Sequence, residues 1–319
     1  MTLKGPIKVV GCGLIGTSIA LRLKEVGFSL ILADENKSNL ALATDLLAIK
    51  EVVTNPELVI IATPPEHVFE VARTEFSRYP AAIFIDVSGI KSKLMNEVES
   101  FPELTKSYVS VHPMAGRETS GPQSARSDLF NSRAWLICRT KGSTPEAVEL
   151  ARKLGEVTGS TIYELDAQTH DSVIADISHL PQILSSALGA SLNDIDIQAL
   201  NLAGQGLRDV SRLADSDPDL WSGLLLGDSK EVLPKISEVI NRLSKLASAI
   251  EKNDQLLVKQ FLAEGREGRN RIPGKHGLAK RDYTYLPIVI DDKPGGLARI
   301  FNECAEINVN IEDLSMEHS

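Results

Sequence analysis

Five short apolar runs recur along the first third of this chain: IKVV (7–10), LILAD (30–34), LVIIAT (58–63), AIFIDV (82–87) and SYVSVH (107–112). Helical patterns separate several of them. Runs that are apolar on both faces belong inside a covered sheet, and alternation with helices makes that sheet mostly parallel. AWLICR (134–139) and TIYEL (161–165) are further strand candidates. An α/β domain is therefore expected over residues 1–165.

The character changes after residue 166. No convincing strand is read from there to about residue 263, so residues 166–263 are expected to be all-helical. PKISEVINRLSKLASAIEKNDQLLVKQFL (234–262) places Ile236, Val239, Ile240, Leu243, Leu246, Ala247 and Ile250 at spacings of three and four. That is an amphipathic helix whose apolar stripe exceeds what one small helical domain covers, so it is expected to pack in a homodimer. Residues 264–282 are rich in Gly, Arg and Lys without interleaved aromatics, and read as a solvated linker. Residues 283–319 look like strand, glycine-containing turn, helix (Leu297 to Ala305) and strand, part of a small α+β module too short for its own core.

A length of 319 residues suits two or three domains. No run of 18 apolar residues or signal-peptide h-region is visible, so a soluble cytoplasmic protein without membrane contact is expected. Cys12, Cys138 and Cys304 lie far apart with no C-x-x-C pair, which argues against disulfides or a metal site. A net charge of −9 is a poor match to nucleic acid, and an anionic small molecule would have to be met by local arginines.

GCGLIG supplies Gly11, Gly13 and Gly16 directly after a strand, and Leu14 and Ile15 open a helix. This is the dinucleotide-binding pattern of a Rossmann-type, doubly wound sheet. The glycines serve a tight turn, close backbone approach to a pyrophosphate, and close helix–strand packing. Asp34 ends the second strand, placed to bond ribose hydroxyls and repel a 2′-phosphate. NAD is therefore expected rather than NADP, with Lys37 near enough to blunt the repulsion. Thr63 and Pro64, then Asp86, Ser88 and Gly89, then His112 follow the ends of three further strands. Ligands sit beyond such ends, so these residues are expected to ring one crevice.

His170 and His179 are nine residues apart, on opposite sides of a straight helix. Pro181 can kink that helix. His179 is taken as the pocket-facing histidine and His170 as a buried packing residue. Arg208 and Arg212 share a helix face, where either grips a carboxylate or pairs with Asp209 and Asp215.

On GCGLIG, DVSGIK, HPMAGRETSG, SHLP and RDVSRLADSDPDLW, in that order, the chain resembles the prephenate/arogenate dehydrogenases of tyrosine biosynthesis over residues 7–263. The tail resembles the first half of an ACT domain, a small ligand-sensing module. The resemblance implies that His112 accepts a hydrogen bond from the substrate's C4 hydroxyl and that Arg212 binds the ring carboxylate. It also implies that Glu118 joins a gating ionic network, that His179 lines the pocket and that Trp221 lies near it. Family members often carry a serine where this chain has Gly89. Either Ser88 takes over from one position earlier, or that contact is lost.

The implied reaction is NAD-dependent oxidative decarboxylation of prephenate to 4-hydroxyphenylpyruvate, or of arogenate to tyrosine. Arg117 suits the pyruvyl carboxylate of prephenate better than the ammonium of arogenate. An amino-acid effector at the tail is a further expectation. A non-catalytic NAD-binding sensor is the rival from another class, opposed by the set His112, His179 and Arg212. A 6-phosphogluconate-type dehydrogenase is opposed by the lack of its glycine-rich lysine helix between residues 150 and 200.

Overall fold

The computed structural model describes residues 5–49, 54–116, 119–273, 286–290, 293–309, 311 and 314. The chain divides into two compact units, residues 1–267 and 268–319.

In the first unit, β1 (Ile7–Val10), β2 (Leu30–Ala33), β3 (Leu58–Ile61), β4 (Ile83–Asp86), β5 (Tyr108–Pro113), β6 (Ala134–Arg139) and β7 (Thr161–Glu164) form one sheet. Its order is β2-β1-β3-β4-β5-β6-β7. The first five strands run parallel, as the alternation with α1 (Leu14–Glu25), α2 (Lys37–Leu47), α3 (Val68–Arg78), α4 (Ser92–Glu99) and α5 (Pro102–Thr105) requires. β6 turns antiparallel to β5, and β7 follows α6 (Pro145–Val157) parallel to β6. A parallel return needs a long crossover, usually a helix. Between β5 and β6 the described residues hold only a short 3-10 turn (Pro122–Ser124).

Alternate strand residues serve two cores. Val9, Ile60, Ile85 and Val109 join Ile19, Leu23 and Leu154 on one face. Val59, Ile61, Phe84 and Tyr108 join Val68, Leu94 and Val98 on the other. All are buried, and each such side chain contributes about 1.5–3 kcal/mol on burial. This double coverage is why the strands read as unbroken apolar runs rather than alternating ones.

Beyond β7 the first unit is helical. It runs through α7 (Ala167–Ile174), a π turn (Ala175–His179), α8 (Leu180–Ser191), α9 (Ile197–Leu200), α10 (Gln205–Ser211), a 3-10 turn (Arg212–Asp215), α11 (Pro218–Gly227), α12 (Ser229–Glu251) and α13 (Gln255–Asn270). The apolar stripe from Ile236 to Ile250 lies within α12, and the rest of the stretch read with it forms a second helix. Asn253 takes a left-handed φ of 53° and Asp254 caps α13 by accepting the Leu257 N–H at 3.1 Å. Ile240, Leu243, Ile250, Leu256, Leu257 and Leu262 stay more than half exposed. Because α13 runs to Asn270, the segment read as linker from residue 264 begins as helix. None of the described helices is long and apolar enough to cross a membrane.

In the second unit, α14 (Gly296–Glu306) forms where the tail's helix is read. Residues 286–290, expected as strand, form none. Most of the closing strand lies outside the described residues.

Gly11 has φ 98°, and a Cβ there would meet the Ala62 carbonyl oxygen at 2.4 Å. A Cβ on Gly16 would meet Gly11 O at 1.9 Å and Ala62 Cβ at 3.0 Å. Backbone cannot yield as a side chain does. Gly16→Ala is expected to destabilise the protein by about 1–3 kcal/mol, read as a lower midpoint in urea unfolding; an unchanged midpoint would contradict this packing.

Candidate active site

The chain winding reverses between β1 and β3, and ligands occupy the crevice at such a point. α1 begins there on Gly13, which offers no side-chain cap. The N–H groups of Leu14, Ile15 and Gly16 therefore lack intrahelical partners and present the positive end of the helix. A Cβ at Gly13 would meet nothing within 4 Å, so this position faces open space. Asp34 turns back onto the glycine loop. Its Oδ2 accepts the Cys12 N–H at 2.6 Å and its Oδ1 accepts the Asn36 N–H at 2.7 Å. Thr63 Oγ1, just past β3, is buried without a partner. Pro64 beside it is exposed. Free donors for a pyrophosphate, a fixed carboxylate for ribose and an orphaned hydroxyl fit a dinucleotide. Burial first, then the Asp34 charge, pushes the Cys12 thiol up to about 12, so it stays protonated and unreactive.

The second half of the site hangs on Lys91, whose side chain is fully buried. Its Nζ donates to Ser88 O at 2.7 Å, Val111 O at 2.7 Å, Asp86 Oδ1 at 3.1 Å and Ser88 Oγ at 3.3 Å. Asp86 Oδ2 also accepts the Tyr108 hydroxyl at 2.8 Å. Burial, then the Asp86 charge, drives that phenol well above its ordinary value, so it remains a donor.

His112, near the end of β5, stands partly exposed beside this hub. Its Nδ1 lies 2.9 Å from His170 Nε2. His170 Nδ1 in turn lies 2.8 Å from Asp171 Oδ1. The two Asp171 oxygens accept the N–H groups of Lys91 at 2.9 Å and Ser92 at 2.7 Å. Burial raises the Asp171 carboxyl, but hydrogen bonds from His170 and Ser92 outweigh it and hold the group below its ordinary range.

His179 is also buried. Its Nδ1 comes within 2.9 Å of Asp228 Oδ2. The contact is a close approach rather than a formed hydrogen bond. Burial comes first in raising the Asp228 carboxyl. The Trp221 ring stands edge-on to His179 at 5.9 Å and helps wall a cavity of about 410 Å³ with Gln182, Ile183, Ala214, Ser216 and Leu225.

Several expectations change here. His170 is no packing residue: it touches His112 directly. The straight-helix argument fails because the π turn rotates the chain less per residue, so both histidines bury. Pro181 has no N–H for the Ile177 carbonyl, which lies in that turn. Ser88 does not take over at His112. Its Oγ sits 2.7 Å from Asp86 Oδ1 and 2.9 Å from the Ile90 carbonyl. Gly89 is the residue facing the imidazole: a Cβ there would lie 3.7 Å from His112 Nε2 and 3.0 Å from Leu224 Cδ2. Arg208 lies in the last turn of α10, and Arg212 opens the 3-10 turn that continues it. Arg212 is exposed, two residues before the cavity-lining Ala214. Arg117 and Glu118 lie outside the described residues. The sequence reading missed Lys91 and Asp171 and took His170 for packing; the adjacent His-Asp pair eight residues before SHLP was the available signal.

Two family models match. One is described as the nucleotide-binding domain of prephenate dehydrogenase and covers residues 19–164. The other is the dimerization domain of prephenate dehydrogenase and covers residues 166–264. The chain is 30% identical to a probable prephenate dehydrogenase, NovF, of Streptomyces niveus, over 94% of this chain and 87% of that protein. Among solved structures, it is 25% identical to prephenate dehydrogenase from A. aeolicus in complex with hydroxyphenyl propionate and NAD+. That match has a TM-score of 0.75 over 84% of this chain and 98% of the other. An arogenate dehydrogenase from Synechocystis is 26% identical with a TM-score of 0.69, over 83% of this chain and 99% of the other.

Protein packed around the ring, then the charges of His170, Lys91 and His179, hold the His112 imidazole well below its ordinary value. Burial also lowers His170, against the pull of Asp171. In the unfolded chain both protonate near pH 6.5. Between that pH and the lower folded values, the unfolded state binds more protons. Their contribution to stability is therefore complete above about pH 6.5 and is lost as pH falls through the folded values. The melting temperature is expected to drop from pH 7 to pH 5, with a shallower slope in His112→Asn. Equal slopes would show that His112 does not titrate this way.

Proposed function

We propose, for a chain that belongs to the prephenate dehydrogenase family, NAD-dependent oxidative decarboxylation of prephenate to 4-hydroxyphenylpyruvate. The observation that carries the reading is the His112 imidazole near a strand end, its Nε2 turned toward Gly89, in a chain whose first domain carries a dinucleotide cradle.

Leu14, Ile15 and Gly16 hold the pyrophosphate by their N–H groups, with Gly11 and Gly13 giving it room. Asp34 binds the adenosine ribose and favours NAD over NADP. NAD, when bound, accepts the hydride from substrate C4. His112, neutral because its imidazole is held below its ordinary value, draws the proton from the C4 hydroxyl. The ring carboxylate leaves as carbon dioxide, and aromatisation drives the reaction. Arg212 grips that carboxylate through its guanidinium fork before it departs. His179 and Trp221 wall the pocket. Arg117 meets the pyruvyl carboxylate and Glu118 joins the gating network. The hydroxyl of Ser88 has no part, being spent on Asp86 and Ile90.

The exposed apolar residues of α12 and α13 support a homodimer through the helical domain, residues 166–263, in line with the description of the second family model. An amino-acid effector would bind a partial ACT-like module over residues 283–319, supported by α14 alone. Arogenate is the second substrate reading, favoured by the likeness to the Synechocystis enzyme.

Mixing the protein with NAD and prephenate is expected to raise NADH absorbance, with a higher kcat/KM than for arogenate. No signal with either substrate would overturn the reading. His112→Asn is expected to keep NAD affinity while turnover falls roughly 10²–10⁴-fold; near-normal turnover would remove His112 from the chemistry. Arg212→Ala is expected to raise KM far more than it lowers kcat, and a defect in kcat alone would tell against its role.

A further inference from the structure

A general base works only if the nitrogen facing the substrate lacks a proton. Which His112 nitrogen that is follows from groups two links away. Asp171, as a carboxylate, can only accept hydrogen bonds. It already accepts two backbone N–H groups, from Lys91 and Ser92 at the start of α4, and its carboxyl is held as the anion. The proton between it and His170 therefore sits on His170 Nδ1, 2.8 Å away. Neutral His170 then has a bare Nε2. The 2.9 Å contact between that nitrogen and His112 Nδ1 needs one proton, and His112 must supply it. Neutral His112 is thereby left with a bare Nε2, the nitrogen turned toward Gly89.

We propose that His170 and Asp171 are positioning residues that set the tautomer of His112 and stabilise its imidazolium once it has taken the substrate proton. This rests on the reading of His112 as the base. The chain of contacts runs His112 Nδ1–H to His170 Nε2, then His170 Nδ1–H to Asp171 Oδ1. A positive charge gained at His112 is thus linked by two hydrogen bonds to a buried anion. Other charged groups face the pair. Burial, His170 whenever it is itself charged, Lys91 and His179 disfavour the charged form of His112, while Lys91 disfavours and Asp228 favours charge on His170. Asp171 is the anion in hydrogen-bond contact with the pair, so its removal has a definite sign.

Asp171→Asn, with its amide nitrogen in the Oδ1 position, presents an N–H to His170 Nδ1 at the cost of the Lys91 N–H bond to that oxygen, and keeps its oxygen for the Ser92 N–H. His170 then protonates at Nε2, His112 Nδ1 becomes the acceptor, and the His112 proton moves to Nε2, where it blocks the base. Turnover is expected to fall on the order of 10²-fold with NAD affinity unchanged. The acid limb of the kcat/KM profile is expected to move to lower pH, because the imidazolium has lost its anion. His170→Gln offers His112 Nδ1–H an oxygen without reference to Asp171. In that background Asp171→Asn is expected to cost little more, a non-additivity that a merely structural role would not produce.

Nitrogen-15 NMR of the histidine rings in the wild-type enzyme with NAD tests the tautomer without any substitution. Nε2 of His112 bare and Nδ1 protonated is the expected result, and the reverse overturns the proposal. Wild-type turnover and an unmoved acid limb in Asp171→Asn overturn it too. If His112→Asn kept turnover, the base itself would be wrong; loss of turnover there, with Asp171→Asn unaffected, would sink the positioning pair alone.

Discussion

A single buried ammonium holds the catalytic half of this molecule together. Lys91 Nζ links the end of β4 through Asp86, the following loop through the Ser88 carbonyl, and β5 through the Val111 carbonyl. The last of these is the residue before His112. Removing one partner of such a buried pair strands the other's charge and costs about 3–5 kcal/mol. The same ammonium disfavours a second positive charge on His112. One interaction therefore fixes where the imidazole stands and adds to the burial that keeps it neutral.

From that hub the structure extends outward in hydrogen bonds. The Lys91 and Ser92 amides anchor Asp171, Asp171 orients His170, and His170 meets His112. The helical segment and the sheet thus meet through backbone donors at a helix start, which are rigid and carry a partial positive charge. The irregular π turn between His170 and His179 is part of the same arrangement. A regular helix would have turned one of the two rings away.

Much of the sheet was legible because its signals are local. Residues such as Val59, Ile60 and Ile61 announce a strand covered on both sides, whatever lies further along the chain. GCGLIG announces a tight turn and a close helix, because Gly11 and Gly16 meet backbone that no side chain tolerates. The antiparallel β6 was not legible, since direction depends on what the residues between β5 and β6 fail to form. The role of His170 was misread because helical spacing assumes a uniform turn. Which alternative holds for Ser88 was not legible because a serine in sequence next to a site need not point into it; Asp86 and the Ile90 carbonyl hold its hydroxyl instead.

The sequence by itself determined the strand set, the dinucleotide cradle and the helical second domain, and it singled out His112. These depend on periodicity and on residue chemistry within a few positions. Only the tertiary structure decided which histidine supports His112, that Gly89 rather than Ser88 faces it, and that Lys91 is the buried anchor. Those facts turn on ångström-scale contacts between segments as far as 80 residues apart in the chain, such as Lys91 and Asp171, and no local pattern encodes them.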